Sequence, residues 1–462
     1  MRLTPTLRFI ILLSGLTGAV ATMQHPASGS AAPRSIAIQN VDVITMTSAT
    51  PLLSANVLVR NGQIVSLNAN AEELRSATVR VDGAGSFLIP GLTDAHVHLP
   101  TSPALSRRVC DLLIANGITT VFELGGSPAQ LKLRDDIRTG KVRGPRIYVS
   151  GPPLGDPHGL DTTTSPDYIE REVLAQKRAG YDFIKLHGDL SRAAYRRLNS
   201  VARQNLIRLV GHAPRNLGVQ AMLDERQEAV AHIEEYLYAY FYFRKNIRSL
   251  LSDVDTQTRL LATRTARAGT TVISTLEVFR GIPQQISNLD RVLSRHEVQY
   301  IPKSLGDLWG WWPPHNSYTS RFGRDTIPWF ERQYRIMMGI VSAFHDAGVP
   351  LLAGTDTPTA AVVPGFSLHD ELRQMVIAGL SPYEALKTAT VNPATFMQTS
   401  SEAGTIEVGR RADMILLSAN PLEDINRTRQ IKGVLVNGEW YSKERLMQLV
   451  RPRQDAAYEA NH

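Results

Sequence analysis

"FLIPGLTDAHVHLP", residues 87–100, decides how the rest of the chain is read. An apolar run reaches Pro90-Gly91, and Asp94, His96 and His98 follow within five residues. Alternate residues of an extended strand face the same side, so His96 and His98 project together, one pleat repeat apart. A histidine on an apolar strand is more often a hydrogen-bonded core residue than a ligand. The pair therefore carries meaning only if later segments bring further metal-binding groups to the same place.

Later segments do repeat the pattern. Short apolar strands alternate with helical stretches in "TTVFELGG" (119–126), "RIYVSGPPL" (146–154), "YDFIKLHG" (181–188) and "IRLVGHAP" (207–214). "AVAHIEEYL" (229–237), "TTVISTLEVF" (270–279) and "VPLLAGTDTP" (349–358) complete the series. Amphipathic stretches such as "SPDYIEREVLAQKRAG" (165–180) and "SPYEALKTATVNPA" (381–394) lie between or after them. Eight strands with helical crossovers predict an α/β fold, a (β/α)₈ TIM barrel over residues 88–400. A doubly wound open sheet is the competing architecture, and no Gly-x-Gly-x-x-Gly turn supports it.

The two ends of the chain differ from this middle. "SIAIQNVDVITM" (35–46), "ANVLVRNGQIVSL" (55–67) and "TVRVDGAG" (78–85) alternate with period two, as do "ADMILLSAN" (412–420) and "IKGVLVNGEWY" (431–441). Asn61-Gly62 and Asn437-Gly438 are hairpin signals. Neither end has strands enough for a stable sheet alone. The expectation is one small β-sandwich, built from residues 35–87 and 401–450 together, with 451–462 a polar tail.

Before these strands, Arg2 and Arg8 flank the start of "FIILLSGLTGAV" (9–20), and Ala19-Val20-Ala21 gives a small-x-small cleavage pattern. Residues 1–21 read as a signal peptide and the Ser/Ala/Pro-rich 22–34 as a flexible linker. The expected location is outside the cytoplasm, periplasmic or extracellular, with no membrane attachment after cleavage. The lone cysteine, Cys110, excludes an internal disulfide and reads as a buried thiol on the helix "RRVCDLLIANG". Lys and Arg exceed Asp and Glu by seven, without a dense basic stripe, so nucleic acid is not an expected partner.

In a barrel, residues at the C-terminal ends of the strands share one mouth. His96 and His98 end the first strand, Lys185 lies on the fourth, His212 ends the fifth, His232 lies on the sixth and Asp356 ends the eighth. Singly, each has a bland reading: core histidines, a snorkelling lysine, a capping aspartate. Jointly the bland readings fail, because barrel register would bring all six to one face.

At these residues the chain resembles the amidohydrolase superfamily, and within it the imidazolonepropionase-related, prolidase-like metal-dependent hydrolases. "PGLTDAHVHL", "DFIKLHG", "GHAP", "AHIEEY", "LLAGTDT" and "ALKTATVNPA…GTIEVGRRADMILL" carry the resemblance. It implies two divalent metal ions, with zinc suiting imidazole and carboxylate donors. His96 and His98 would hold the more buried ion, with Asp356 completing its site and shuttling protons. His212 and His232 would hold the second, and Lys185, N6-carboxylated, would bridge the two. An unmodified ammonium between two cations would be repelled by both. The implied reaction is hydrolysis of a C–N amide bond by a metal-activated hydroxide. A dipeptide, an Xaa-Pro-like or an N-acyl amino-acid-like substrate would then give a carboxylic acid and an amine. Hydrolysis of lactones, esters or phosphotriesters on the same centre is the alternative, and a non-catalytic binding barrel is another. One departure stands out: many relatives read Ile-Glu-His on the sixth strand, whereas here His232 precedes the acidic pair.

Substrate contacts are expected in the loops after the strands. His187 faces the same side as Lys185, and Arg215 follows His212 as a candidate for an anionic substrate group. "LGDLWGWWPPHNSY" (305–318) concentrates tryptophans, and Trp311, His315 and Tyr318 are the candidates there. The same loop would equally pack on the barrel rim or against a neighbouring subunit of a homo-oligomer. "YLYAYFYFRKN" (236–246) reads as an aromatic helix that packs into the core or lines the pocket.

Overall fold

A computed structural model describes residues 35–155, 164–241 and 254–451. The expected signal peptide, the linker, residues 452–462 of the polar tail and residues 242–246 of the aromatic stretch lie outside these ranges. The described residues pack as one compact unit. Among the described residues no helix is long and apolar enough to cross a membrane.

In chain order the N-terminal strands are β1 (Ser35–Val43), β2 (Leu52–Arg60), β3 (Gln63–Ser66), β4 (Val79–Asp82) and β5 (Phe87–Pro90). The central series is β6 (Leu92–Val97), β7 (Ile118–Glu123), β8 (Arg146–Val149), β9 (Phe183–Leu186), β10 (Arg208–Gly211), β11 (Ala229–Ala231), β12 (Thr271–Ile273) and β13 (Leu351–Leu352). The C-terminal strands are β14 (Met414–Leu417), β15 (Ile431–Val436) and β16 (Glu439–Ser442).

Both chain ends do meet, in one mixed sheet ordered β16-β15-β14-β5-β1-β2-β3, with β4 pairing β1 beside β5. Strand pairing links them in a single hydrogen-bonded sheet, and that pairing alone does not establish the expected sandwich. The link is β5, which pairs β1 on one side and β14 on the other and so stitches the N-terminal strands to the C-terminal ones. Both Asn-Gly hairpins form where expected. Asn61 and Asn437 adopt left-handed φ of 51° and 50°, with a left-handed glycine after each, as a two-residue primed turn requires.

Residues 87–100 form two strands, not one. Phe87–Pro90 belongs to the chain-end sheet as β5, and the chain crosses at Gly91 to begin β6 in a separate parallel sheet. That sheet is β6-β7-β8, and a second parallel sheet runs β13-β12-β11-β10-β9. Eight parallel strands with helices between them make a TIM-barrel-type α/β arrangement. Between the two sheets the pairing reduces to single parallel bridges, Ser150–Phe183 and Leu154–Leu186 on one side and Val97–Thr357 on the other. Among the described residues no continuous ladder closes the ring.

The strand faces follow from the pleat. Phe183 joins Phe122, Val210, Ala229, Ile273 and Leu352 in one apolar cluster, whereas Ile184 and Leu186 pack with Ile169, Val173 and Leu198 of the flanking helices. Lys185 therefore shares a face with Phe183 and sits one pleat step above that apolar layer. Each such buried aliphatic or aromatic side chain contributes about 1.5–3 kcal/mol of burial free energy, which makes the floor beneath Lys185 a rigid support.

Helix boundaries follow local chemistry. The helix Pro166–Ala179 starts with the Ser165 hydroxyl accepting from Tyr168 N at 3.1 Å and stops at left-handed Gly180. Pro382–Thr388 starts with a Ser381/Glu384 capping box. Cys110 is buried in the helix Pro103–Ala115, as its apolar context suggests.

Candidate metal centre

Each predicted ligand lies at or just beyond the C-terminal end of a parallel strand. His96 sits within β6 with His98 just after it, and Lys185 lies within β9. His212 and His232 directly follow β10 and β11, and Asp356 comes four residues after β13. Gly211 makes the entry to His212 possible: a Cβ there would lie 2.1 Å from the Leu186 carbonyl oxygen of the adjacent strand.

The first and last strands are laced by backbone. Asp356 N donates to the His96 carbonyl at 2.8 Å, and His98 N donates to the Thr357 carbonyl at 2.8 Å. Buried Asp94 reinforces this seam, accepting from Thr355 N at 3.0 Å, Thr355 Oγ1 at 2.7 Å and His96 N at 3.2 Å. The side chains consequently converge. His96 Nε2 and His98 Nε2 are 3.2 Å apart, and Asp356 Oδ1 lies 3.2 Å from the first and 3.0 Å from the second. These three groups can address one metal ion. Lys185 Nζ is 3.5 Å from His96 Nε2.

The other two histidines stand alongside. The His232 ring is 4.6 Å from that of His96 and 4.8 Å from that of His212. Each has its Nδ1 engaged from behind: His212 with Glu235 Oε1 at 2.7 Å, His232 with Thr275 Oγ1 at 2.9 Å. A neutral imidazole whose Nδ1–H is held in this way presents Nε2 as its ligand atom. His187 stands edge-on to His212, with ring centroids 4.6 Å apart.

Burial sets the charge states. It pushes His96 and His212 well below the usual imidazole range, His232 down to about 3 and His187 down to about 4, with Lys185 adding to all four shifts. These histidines are therefore neutral, as ligands must be. Burial also pushes Lys185 down to about 8, although Asp356, Glu123 and Glu235 pull the other way. For Asp356 burial favours the acid, but His96, His232 and His98 outweigh it and hold the carboxyl below its usual range. Neutral nitrogens, an ionised carboxylate and a lysine driven toward its neutral form are a donor set that fits divalent cations. Among the described residues the buried His96 Nδ1 has no hydrogen-bond partner, so they place that ring through its backbone and its packed neighbours.

The left-handed backbone at His232 (φ 75°) and Asp356 (φ 60°) falls on two of the six groups. Such conformations cost about 1–3 kcal/mol each outside glycine and cluster at functional sites.

The expected substrate contacts fare unevenly. Trp311 is completely buried, its indole N–H donating to the Pro358 carbonyl at 2.8 Å, so it anchors the loop and does not face the mouth. His315 is exposed at the tip of the loop, and none of the contacts described for the six groups involves it. Trp311 was misjudged because a Trp-rich loop does not reveal which ring points inward. Trp309 is the one that does. It stacks on His98 with centroids 5.5 Å apart and planes 28° apart. Tyr318 packs beside Ile282 and Phe330, within electrostatic reach of Asp356 and Glu234. Arg215 lies at the mouth already engaged, 3.7 Å from Glu234, 3.9 Å from Glu235 and over the Tyr238 ring. Sequence reasoning also gave no role to Asp94, Glu123, Glu235 or Thr275. Glu123 accepts from Leu99 N and from Gly125 N, and lies 4.0 Å from His98 Nδ1. For Glu235 the acidic pair beside His232 was the available signal; nothing local marks Thr275.

Comparison with known proteins agrees with this picture at two levels. Residues 337–441 match the model of the Amidohydrolase family, a span that includes Asp356 and β13 through β15. An adenine deaminase of Lysinibacillus sphaericus is 39% identical over 84 residues, 18% of this chain and 13% of that protein. Adenine deaminase 1 of Latilactobacillus sakei is 20% identical over 92% of this chain, which spans 61% of its length. Among solved structures, a bottromycin amidohydrolase superposes with a TM-score of 0.71 at 22% identity, covering 90% of this chain and 89% of that one. A Xaa-Pro dipeptidase with bound methionine gives 0.66 at 17% identity, covering 88% and 100%. The amidohydrolase resemblance read from the sequence is thus borne out, by a family match in the C-terminal part and by a likeness of fold over most of the chain.

Proposed function

We propose, with the amidohydrolase match as premise, that this protein is a metal-dependent hydrolase of carbon–nitrogen bonds in amide-type substrates. The observation that carries the reading is the convergence of His96 Nε2, His98 Nε2 and Asp356 Oδ1 within 3.2 Å beside buried Lys185, at the C-terminal ends of parallel strands. His96, His98 and Asp356 would hold one ion, and His212 and His232 a second. Lys185, neutralised and carboxylated by carbon dioxide, would supply the anionic link between them. Bound divalent ions would acidify a water and polarise the scissile carbonyl.

The chain's own residues supply the rest. Asp356, ionised at rest, takes the proton that the attacking water loses and delivers it to the leaving nitrogen, so an amide and a water become an acid and an amine. Trp309 covers one side of His98 and offers a flat apolar surface to the substrate group next to the reacting carbonyl. A dipeptide of Xaa-Pro type or an N-acyl amino acid fits this reading, and the fold likeness to a Xaa-Pro dipeptidase supports it. The N-terminal signal pattern supports a reaction outside the cytoplasm.

Deamination of a purine-like ring is the second reading, favoured by the curated relatives named adenine deaminase. Both reactions hydrolyse a C–N bond, and they differ in product. Zinc-loaded protein assayed on Xaa-Pro dipeptides, N-acyl amino acids and adenine separates them. Release of a free amino acid supports the amide reading, and ammonia from adenine alone supports the second. No hydrolysis of any C–N substrate by zinc-loaded protein would overturn both.

A further inference from the structure

The turn after β12 holds an arrangement that neither the proposed metal centre nor the proposed reaction accounts for. Thr275 occupies the N-cap position of the helix Leu276–Ser287, where a threonine hydroxyl ordinarily accepts from the first turn of its own helix. Here it makes no such bond. Its Oγ1 is turned instead to His232 Nδ1, 2.9 Å away. Thr275 is also left-handed, with φ 51° and ψ 37°, a conformation strongly disfavoured for a β-branched residue.

The cap that Thr275 forgoes comes from another helix. Glu371, on the helix Phe366–Ile377, accepts from Leu276 N at 3.0 Å and Glu277 N at 2.8 Å, and from the Ser274 hydroxyl. One fully buried carboxyl group thus grips the residue before Thr275 and the two after it. Ser274 is pinned further by its N–H, which donates to the Leu352 carbonyl of β13 at 3.1 Å. The strained residue is fixed on both sides while its own side chain is left for His232.

We infer that Thr275 is a positioning residue for His232 and that Glu371 is the buried clamp that holds Thr275 in place. The consequence is chemical. When Thr275 Oγ1 accepts from Nδ1–H, the His232 ring is held in one orientation beside the rings of His96 and His212, with Nε2 left as the ligand atom. Without the acceptor the ring is free to change tautomer and to rotate. The inference rests on the metal-centre reading above, and its test reads metal affinity rather than turnover.

Zinc affinity is measured by competition with a chromophoric chelator on the full chain, for the wild type, Thr275→Val and Thr275→Ser. Valine keeps the shape and the β-branch but removes the acceptor; serine keeps the acceptor. The expected result is a loss of about 10- to 100-fold for Thr275→Val, with Thr275→Ser close to wild type. A role in packing alone gives the opposite order, with valine tolerated and serine damaging, and that order overturns the inference. So does a Thr275→Val protein with wild-type affinity. Glu371→Gln weakens zinc binding in the wild-type background and adds little in the Thr275→Val background if it acts through Thr275; equal effects in both backgrounds refute the clamp. Should Glu371→Gln fail to fold, the Thr275 pair still decides the first claim. A wild-type chain that takes up no zinc overturns the metal centre itself, an outcome distinct from the failure of this inference alone.

Discussion

The six converging groups fall into two halves that are built differently. His96, His98 and Asp356 come from the first and last strands, 260 positions apart, and are locked together by backbone hydrogen bonds across the seam. Their donor atoms approach to 3.0–3.2 Å, and among the described residues His96 Nδ1 has no partner. His212 and His232 come from adjacent middle strands, and their rings stay 4.8 Å apart. Each is held by a side chain behind it, Glu235 or Thr275. The first half is thus fixed by main-chain register and the second by side-chain support. Substitutions around the two halves should therefore fail in different ways: the seam half through its own ligands, the middle half through residues that never touch the metal.

The largest expected effect lies in the seam half. Asp356→Asn should lower kcat by about 10²- to 10⁴-fold, because the amide cannot accept the proton from water. Turnover near wild type would remove the proton role. In the middle half, Glu235→Gln should weaken zinc binding about tenfold or more, since the His212 Nδ1–H loses its buried carboxyl partner. Asp94→Asn, by contrast, leaves the backbone bonds of the seam in place and should cost less affinity. Equal losses for the two would dissolve the distinction between the halves.

Smaller effects follow. Trp309→Ala should raise KM up to about tenfold with kcat changed less, and Trp309→Phe should retain most of the affinity, because the ring stack rather than the indole N–H does the covering. A kcat effect with unchanged KM would place Trp309 elsewhere in the reaction.

The smallest effect is a pH dependence of the metal-free protein. His232 titrates near 6.5 when unfolded and near 3 when folded, owing first to burial. Between those values the unfolded chain binds the extra proton, so this residue lowers stability as pH falls and has no such effect above 6.5. Relative to wild type, His232→Gln should therefore gain stability on acidification, by about 2 kcal/mol at pH 5 against pH 7. Thermal melts at the two pH values check this, and a constant difference would mean that His232 is protonated in the folded metal-free state.

How much of this was legible beforehand depends on whether a feature is local. The Asn-Gly turns and the positions of eight parallel strands are written in short stretches, and the six groups followed from strand ends alone. What escaped depends on pairing between distant segments. Residues 87–99 read as one apolar strand because nothing in the letters shows that β5 pairs with β14 while β6 pairs with β7. The loop 305–318 announced aromatic character but not orientation, so Trp311 was chosen where Trp309 meets His98. Glu371 lies 96 positions from Thr275 and meets that turn only in the folded chain.

The central claim is that these two halves form a single metal centre. Elemental analysis of the purified full-length protein, loaded with zinc in the presence of bicarbonate and freed of excess by gel filtration, tests it most directly. The account predicts about two zinc ions per chain, falling by about one in His212→Asn. A ratio near zero in the wild type, or a wild-type ratio that His212→Asn leaves unchanged, would contradict it.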